Sequence, residues 1–157
     1  MTDFFYYNAN PDNTIEHDCV CRAISVASGI PYKAVNLLLK ATSDENDCDS
    51  LCVCCYHKLL ENVLGYRVIF PKSHKTVADI AEEYKNNILI IRINGHLTSC
   101  IYGTCVDIWD CTKEKVDCFW IKAWQITPDV LKLTYNIRFW YHSCLWLRKA
   151  TDRHLQR

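Results

Sequence analysis

The spacing of apolar residues changes after Tyr84, from a period near 3.6 to a period near two, and this change restricts the fold more than any other feature of the chain. Upstream, Val20, Ala23, Ile24 and Ala27 recur on one helical stripe, with Asp18 as N-cap and Gly29 and Pro31 as the stop. A second helix is expected from about Pro31 through Val35, Leu38 and Leu39, and a third over residues 50–64, closed by Gly65. Thr76 caps a fourth, amphipathic helix through Val77, Ile80, Ala81 and Tyr84. Downstream, Ile88–Ile93, Gly95–Tyr102, Thr104–Trp109 and Val116–Trp124 read as strands, with Tyr102-Gly103 as a tight hairpin turn. Helices first and strands second predict an α+β domain, an N-terminal helical layer packed on a C-terminal antiparallel sheet.

Shorter segments fill in the outline. Phe4 to Tyr7 is an aromatic strand candidate, set off by the turn cluster Asn10-Pro11-Asp12-Asn13, and Tyr66 to Phe70 is a strand that Pro71 stops. Ser43 to Asp49 reads as a solvated acidic loop. From Leu131 to Tyr141 every second residue is apolar, with Lys132, Thr134, Asn136, Arg138 and Trp140 between, the clearest strand signal in the chain, and a basic tail follows it. No internal repeat or linker divides residues 1–157, so one domain is expected, with residues 127–157 as a strand and basic-tail extension of it.

A chain of 157 residues buries roughly 70% of its unfolded surface on folding, enough for one sizeable core. The longest apolar run, Ile88 to Ile91, is far too short to cross a bilayer, and Met1-Thr2-Asp3-Phe4 has no basic, apolar export signal. A cytoplasmic protein without a membrane partner is therefore expected. Zero formal net charge argues against nucleic-acid binding, which needs a concentrated basic face. The charges are uneven, however: residues 127–157 carry six bases against two acids, a candidate surface for a protein partner. Eleven cysteines, an odd number in a chain with no export signal, favour reduced thiols over a disulfide framework.

A thiol becomes a strong nucleophile when it is held as thiolate, and a helix N-terminus and a nearby imidazole are two devices that do so. Cys19, directly after Asp18, stands where the first device acts. Cys21 lies about 200° further round the helix, so the two sulfurs do not share a cleft, and Cys19 is the candidate nucleophile. His96 opens a strand after Asn94-Gly95, where the missing side chain of Gly95 leaves room for a close approach. If Tyr102-Gly103 is a two-residue loop, Thr98 pairs with Asp107, which then shares a face with His96 as its diagonal neighbour. If the loop holds three residues, His96 lies opposite Asp110 instead, so one step of register decides which carboxylate orients the imidazole.

Asp18-Cys19-Val20-Cys21-Arg22-Ala23, Gly95-His96-Leu97-Thr98 and Asp107-Ile108-Trp109-Asp110-Cys111 resemble, in order and spacing, the D-C-V-x-R-A, G-H-L-T and D-x-W-D blocks of small papain-like cysteine peptidases of phages and Gram-positive bacteria. These are relatives in fold of the bacteriocin-leader-processing peptidases, and the resemblance covers about residues 5–124. It implies a papain-like domain that cleaves a peptide or isopeptide bond of a protein or peptide substrate. Cys19 would be nucleophile, His96 general base and acid, and Asp107 or Asp110 the orienter, with Trp109 shielding the His–Asp bond or lining the cleft. It implies no metal or organic cofactor, and a host-cell cytoplasmic location if the chain is phage-encoded. It also implies an oxyanion-binding amide about six residues before the nucleophile; here that position is Asn13, a shorter donor than the more usual Gln.

The same three residues would serve a transglutaminase-like or deamidating acyl transfer, in which only the second nucleophile differs. A third alternative is an inert scaffold that binds a partner through the aromatic and basic C-terminal strand. Arg22 suits an ion pair as well as a substrate contact, and His17 points from a loop away from the thiol. Cys48, Cys52 and Cys55 have spacing for one helical stripe and could bind zinc with His57 or a sheet cysteine; Leu51, Leu59 and Val63 compete for that face, so core packing of Cys48, Cys52, Cys54 and Cys55 is expected. Cys100, Cys105, Cys111 and Cys118 read as buried strand residues.

Overall fold

The structure, a computed structural model, describes residues 2–123. The predicted strand Leu131–Tyr141, the basic tail and Trp124, Trp140 and Trp146 lie outside the described residues. Four α-helices are described, α1 (Cys19–Ser28), α2 (Tyr32–Asn46), α3 (Val53–Lys58) and α4 (Val77–Glu83). The strands are β1 (Phe4–Tyr6), β2 (Tyr66–Ile69), β3 (Ile88–Ile93), β4 (His96–Ile101), β5 (Thr104–Asp107) and β6 (Val116–Lys122). The architecture is α+β, with all six strands in one mixed sheet of order β1-β5-β4-β3-β6-β2. No helix among the described residues is long and apolar enough to cross a membrane.

Helix boundaries follow from identifiable side chains. The buried stripe of α1 is Val20, Ala23, Ile24 and Ala27, and the helix ends where the Gly29 N–H returns to the Ser25 carbonyl at 3.0 Å. Helix α2 runs through Ser43 to Asn46, most of the way into the expected acidic loop. There Thr42 and Asn46 donate from their side chains to the carbonyls of Leu38 and Thr42, and Asp47 stops the helix in a left-handed conformation. The expected third helix starts later, at Val53, because Cys52 is its N-cap, and beyond Lys58 it widens into a π-helical turn, Leu59–Val63. Thr76 and Asp79 close a reciprocal capping box on α4.

Two features of the sheet depart from a helical layer stacked on an antiparallel sheet. First, β1 runs parallel to β5, with Phe4 opposite Cys105 and Tyr6 opposite Asp107; a three-residue strand carries no sequence signal for the direction of its pairing. Secondly, the sheet is covered on both faces. Ile90 and Trp120, paired across β3 and β6, join Val20, Ile24, Leu39 and Leu60 in the core beneath α1, α2 and the π-helical turn. Their neighbours Ile91 and Phe119 face the other way, where the Phe119 ring meets Tyr84 at the end of α4 with centroids 4.9 Å apart. The uninterrupted run Ile88-Leu89-Ile90-Ile91 is what a strand covered on both faces requires.

Candidate active site

The β4–β5 hairpin turns on two residues. Ser99 pairs with Val106, Cys100 with Cys105 and Ile101 with Thr104, leaving Tyr102 and Gly103 as the loop, both at positive φ (49° and 86°). One further step of this register sets Thr98 level with Asp107, and His96 becomes the diagonal neighbour of that carboxylate. His96 Nε2 and Asp107 Oδ2 are 2.7 Å apart. Asp107 is itself fixed: its Oδ1 accepts from the Ile108 N–H at 2.7 Å, and its carbonyl accepts from the Tyr7 N–H at 2.9 Å. Asp110, the alternative, does not reach His96; it is exposed and accepts from the N–H and hydroxyl of Thr112. The extra loop residue that would have brought it opposite His96 is absent.

His96 owes its place to the preceding turn as much as to β4. Ile93 pairs with His96 across Asn94-Gly95, and Gly95 adopts φ 69°. A Cβ at Gly95 would meet nothing within 4 Å, so the glycine is required by its left-handed backbone rather than by a close approach.

Cys19 is the first residue of α1 and is half-buried. Burial works against its ionisation, yet the hydrogen bond with His96, a backbone hydrogen bond at Leu97, the charge of His96 and the N–H of Val20 outweigh it and hold the thiol below its usual range. The imidazole responds in the opposite sense. Burial lowers it, but hydrogen bonds to Asp107 and Cys19 and the charges of both raise His96 to about 9. Other cysteines move the other way: burial pushes Cys21 and Cys118 up to about 12, and Cys55 to about 11. Cys21 donates to the Tyr32 carbonyl at 3.3 Å, away from His96. His17 is exposed, and Cys100, Cys105, Cys111 and Cys118 are buried in or beside the sheet.

Beneath the sulfur lies a polar network that sequence reasoning recovered only in part. Asp18 occupies the N-cap position, but its carboxylate does not cap the helix. It forms a buried ion pair with Arg22, one turn along α1, and accepts from Tyr32 Oη at 2.7 Å and Asn10 Nδ2 at 3.0 Å. Arg22 is lowered by burial, while the charge of Asp107, the largest opposing influence, raises it. The guanidinium therefore couples electrostatically to the carboxylate behind His96. Asn10 and Tyr32 were not foreseen; the one sequence cue was a polar Asn inside an aromatic-to-helix connection.

Two further residues were expected at the site. Trp109 sets its ring against His96, centroids 5.4 Å apart at 58°, and remains 41% exposed, so it covers one side of the imidazole while facing solvent. Asn13 stands exposed on its turn at φ 52°, with its N–H donating to the Asn10 carbonyl at 3.0 Å. Among the described residues, no hydrogen bond joins its side chain to Cys19. The buried amide of this loop is Asn10, whose Nδ2 is directed at Asp18, Thr14 and Tyr32. A search of family models, of curated proteins and of solved structures found no match to this chain.

Proposed function

We propose that the chain is a papain-like cysteine peptidase that hydrolyses a peptide or isopeptide bond of a protein or peptide substrate. One observation carries this: Cys19 and His96 are in contact and shifted towards thiolate and imidazolium, with Asp107 on Nε2 of the same ring. An aliphatic-core cysteine has no such partner and moves upward, as Cys21 does. The elements holding the site, a helix whose first residue is the thiol and a sheet strand that begins with the imidazole, also suit a papain-like arrangement.

In this mechanism the Cys19 thiolate attacks the substrate carbonyl carbon and its electrons move onto oxygen. The backbone N–H of Cys19, at the first position of α1, has no partner within the helix and is available to that oxyanion. His96 gives its proton to the leaving amine as the carbon–nitrogen bond breaks, and an acyl thioester remains on Cys19. Neutral His96 then takes a proton from water, hydroxide adds to the thioester, and the carboxylic acid leaves as the thiolate is restored. Since Nε2 is held by Asp107, both proton transfers run through Nδ1. Asp107 keeps the ring oriented and stabilises its charged form.

Limited alkylation tests the proposal. With substoichiometric iodoacetamide near pH 6, where ordinary thiols are protonated, peptide mapping should find the label on Cys19 ahead of Cys21 and Cys48. Labelling of Cys19 no faster than these would exclude it as an activated nucleophile. Cleavage of a mixed peptide library by the native chain, and not by Cys19→Ala, would extend the result from reactivity to hydrolysis.

A further inference from the structure

Four cysteines at the corner between α2 and α3 take no part in that chemistry. Cys48 directly follows Asp47, the left-handed residue that ends α2; Cys52 is the N-cap of α3, and Cys54 lies in its first turn. The sulfurs of Cys48, Cys52 and Cys54 all lie within 4.8 Å of one another. A tetrahedral ion with metal–sulfur bonds of about 2.3 Å sets its sulfurs about 3.8 Å apart, so small rotamer changes would close the three on an ion. Cys55 braces them: its N–H donates to Cys52 Sγ at 3.3 Å, and its buried thiol donates to the Leu39 carbonyl of α2 at 3.4 Å. A backbone N–H directed at sulfur is the kind of outer contact that steadies a metal thiolate.

Core packing accounts for this arrangement only in part: Cys55 lies in the core and Cys48 and Cys52 rest against it, as expected, while Cys54 stands outside it. Cys48, Cys52 and Cys54 are half-buried, and Leu51 and Val63, expected to bury on the same face, are exposed. Cys52 and Cys54 are joined by a disulfide, a departure from the expected all-reduced chain, and Cys48 remains a free thiol beside them. A bond between residues only two apart restrains little of the unfolded chain and makes no use of the third sulfur. His57 is engaged elsewhere, with Nδ1 accepting from Trp120 at 3.3 Å and Nε2 3.4 Å from Glu61.

We propose that in the reduced chain Cys48, Cys52 and Cys54 bind a thiophilic divalent cation of the zinc type, and that the Cys52–Cys54 disulfide is the metal-free, oxidised form of the same site. Solvent supplies the fourth ligand, since all three cysteines are half-buried at the surface. Reduction consumes two molecules of a small thiol: they leave as one disulfide, and their two hydrogens pass to Cys52 and Cys54. Metal binding then displaces the thiol protons. The ion would tie the end of α2 to the start of α3, whose Leu39 and Cys55 both belong to the core. It is a departure from the expectation of a metal-free protein.

The full chain, reduced with a phosphine and titrated anaerobically with Co2+, should take up one equivalent. The spectrum should carry thiolate-to-cobalt charge transfer and the strong visible bands of tetrahedral cobalt, both abolished by added Zn2+. Cys19→Ala should leave the spectrum unchanged, which separates this site from the proposed catalytic one. Cys48→Ser and Cys54→Ser should each weaken cobalt binding by at least about 10-fold, and oxidation by glutathione disulfide should abolish it. Two serine variants guard against unfolding of either one, and circular dichroism identifies the one that remains folded. Absence of a thiolate–cobalt band in the reduced chain, or a band that survives in the folded serine variant, overturns the proposal.

Discussion

His96 Nε2 and Asp107 Oδ2 meet at 2.7 Å across the β4–β5 hairpin, the residues being eleven positions apart in the chain. The carboxylate is the first of the influences that raise the imidazole to about 9 against the effect of burial. Asp107→Asn keeps the shape and removes the charge, so the imidazole should fall back towards its ordinary value of about 6.5. The alkaline limb of the pH–rate profile, which reports loss of the His96 proton, should move down from near pH 9, and kcat/KM should drop by about 10² to 10⁴. An alkaline limb that stays near its original position would show that Asp107 does not set the charge of the ring.

Alkylation as a function of pH reads the other partner. The Cys19 thiol lies below its ordinary value because interactions with His96 and backbone N–H groups outweigh burial, so its thiolate persists on the acid side of 9.0. The rate of Cys19 alkylation in the folded protein should rise through that lowered value and then level off. The same residue in denaturant should begin to react only near its unperturbed range, about pH 8 to 9. Cys21, pushed to about 12, should stay unlabelled throughout. Coincident profiles for folded and denatured protein would remove the case for an ion pair.

The parts of this site legible in the sequence are those set by local periodicity. Asp18, Cys19 and the apolar stripe of Val20, Ala23, Ile24 and Ala27 place the sulfur at the head of α1. Tyr102-Gly103 predicts the tight turn, and parity of register then brings Asp107 onto the face of His96. What was hidden depends on residues distant in the chain. Nothing local to Asp18 says that its carboxylate will turn away from the helix N-terminus towards Arg22, Tyr32 and Asn10. Nor does Phe4-Phe5-Tyr6 reveal that it will lie parallel to β5, since that direction is settled by the path the chain takes between them. The doubly covered sheet was foreshadowed by Ile88 to Ile91, a run too continuous for a strand with one wet face.

Asp18 and Arg22 are buried together, with 8% and 5% of their surfaces exposed, and removal of one leaves the other without its countercharge. Arg22→Ala should destabilise the fold by about 3–5 kcal/mol, the usual penalty for stranding one member of a buried pair. Replacing both with apolar residues of similar volume, Asp18→Leu with Arg22→Met, should restore much of that stability. Because Asp18 precedes Cys19 and Arg22 feels Asp107, the double variant should still lose reactivity at Cys19. Urea unfolding checks the first two outcomes and iodoacetamide labelling the third. A double variant as unstable as Arg22→Ala would mean that the pair is held by more than its own charges.

The hairpin turn offers a test in the opposite direction, towards greater stability. Tyr102 sits at φ 49° and is 61% exposed, so its side chain has little packing to lose, while a left-handed backbone costs an ordinary L-residue about 1–2 kcal/mol. Asparagine tolerates that region, and Asn-Gly is the preferred pair for a two-residue turn with both φ values positive. Tyr102→Asn should therefore stabilise the chain by up to about 1 kcal/mol, read as a higher urea midpoint. Gly103→Ala should do the reverse, by about 1–2 kcal/mol, because the new Cβ keeps φ 86° and comes within 3.3 Å of the Lys85 Cβ. Gly95→Ala, strained at φ 69° but with nothing within 4 Å of its Cβ, should be the milder of the two glycine replacements. If Gly95→Ala proved the more damaging, crowding at Lys85 would be irrelevant and the turn before His96 would be the more tightly constrained of the two.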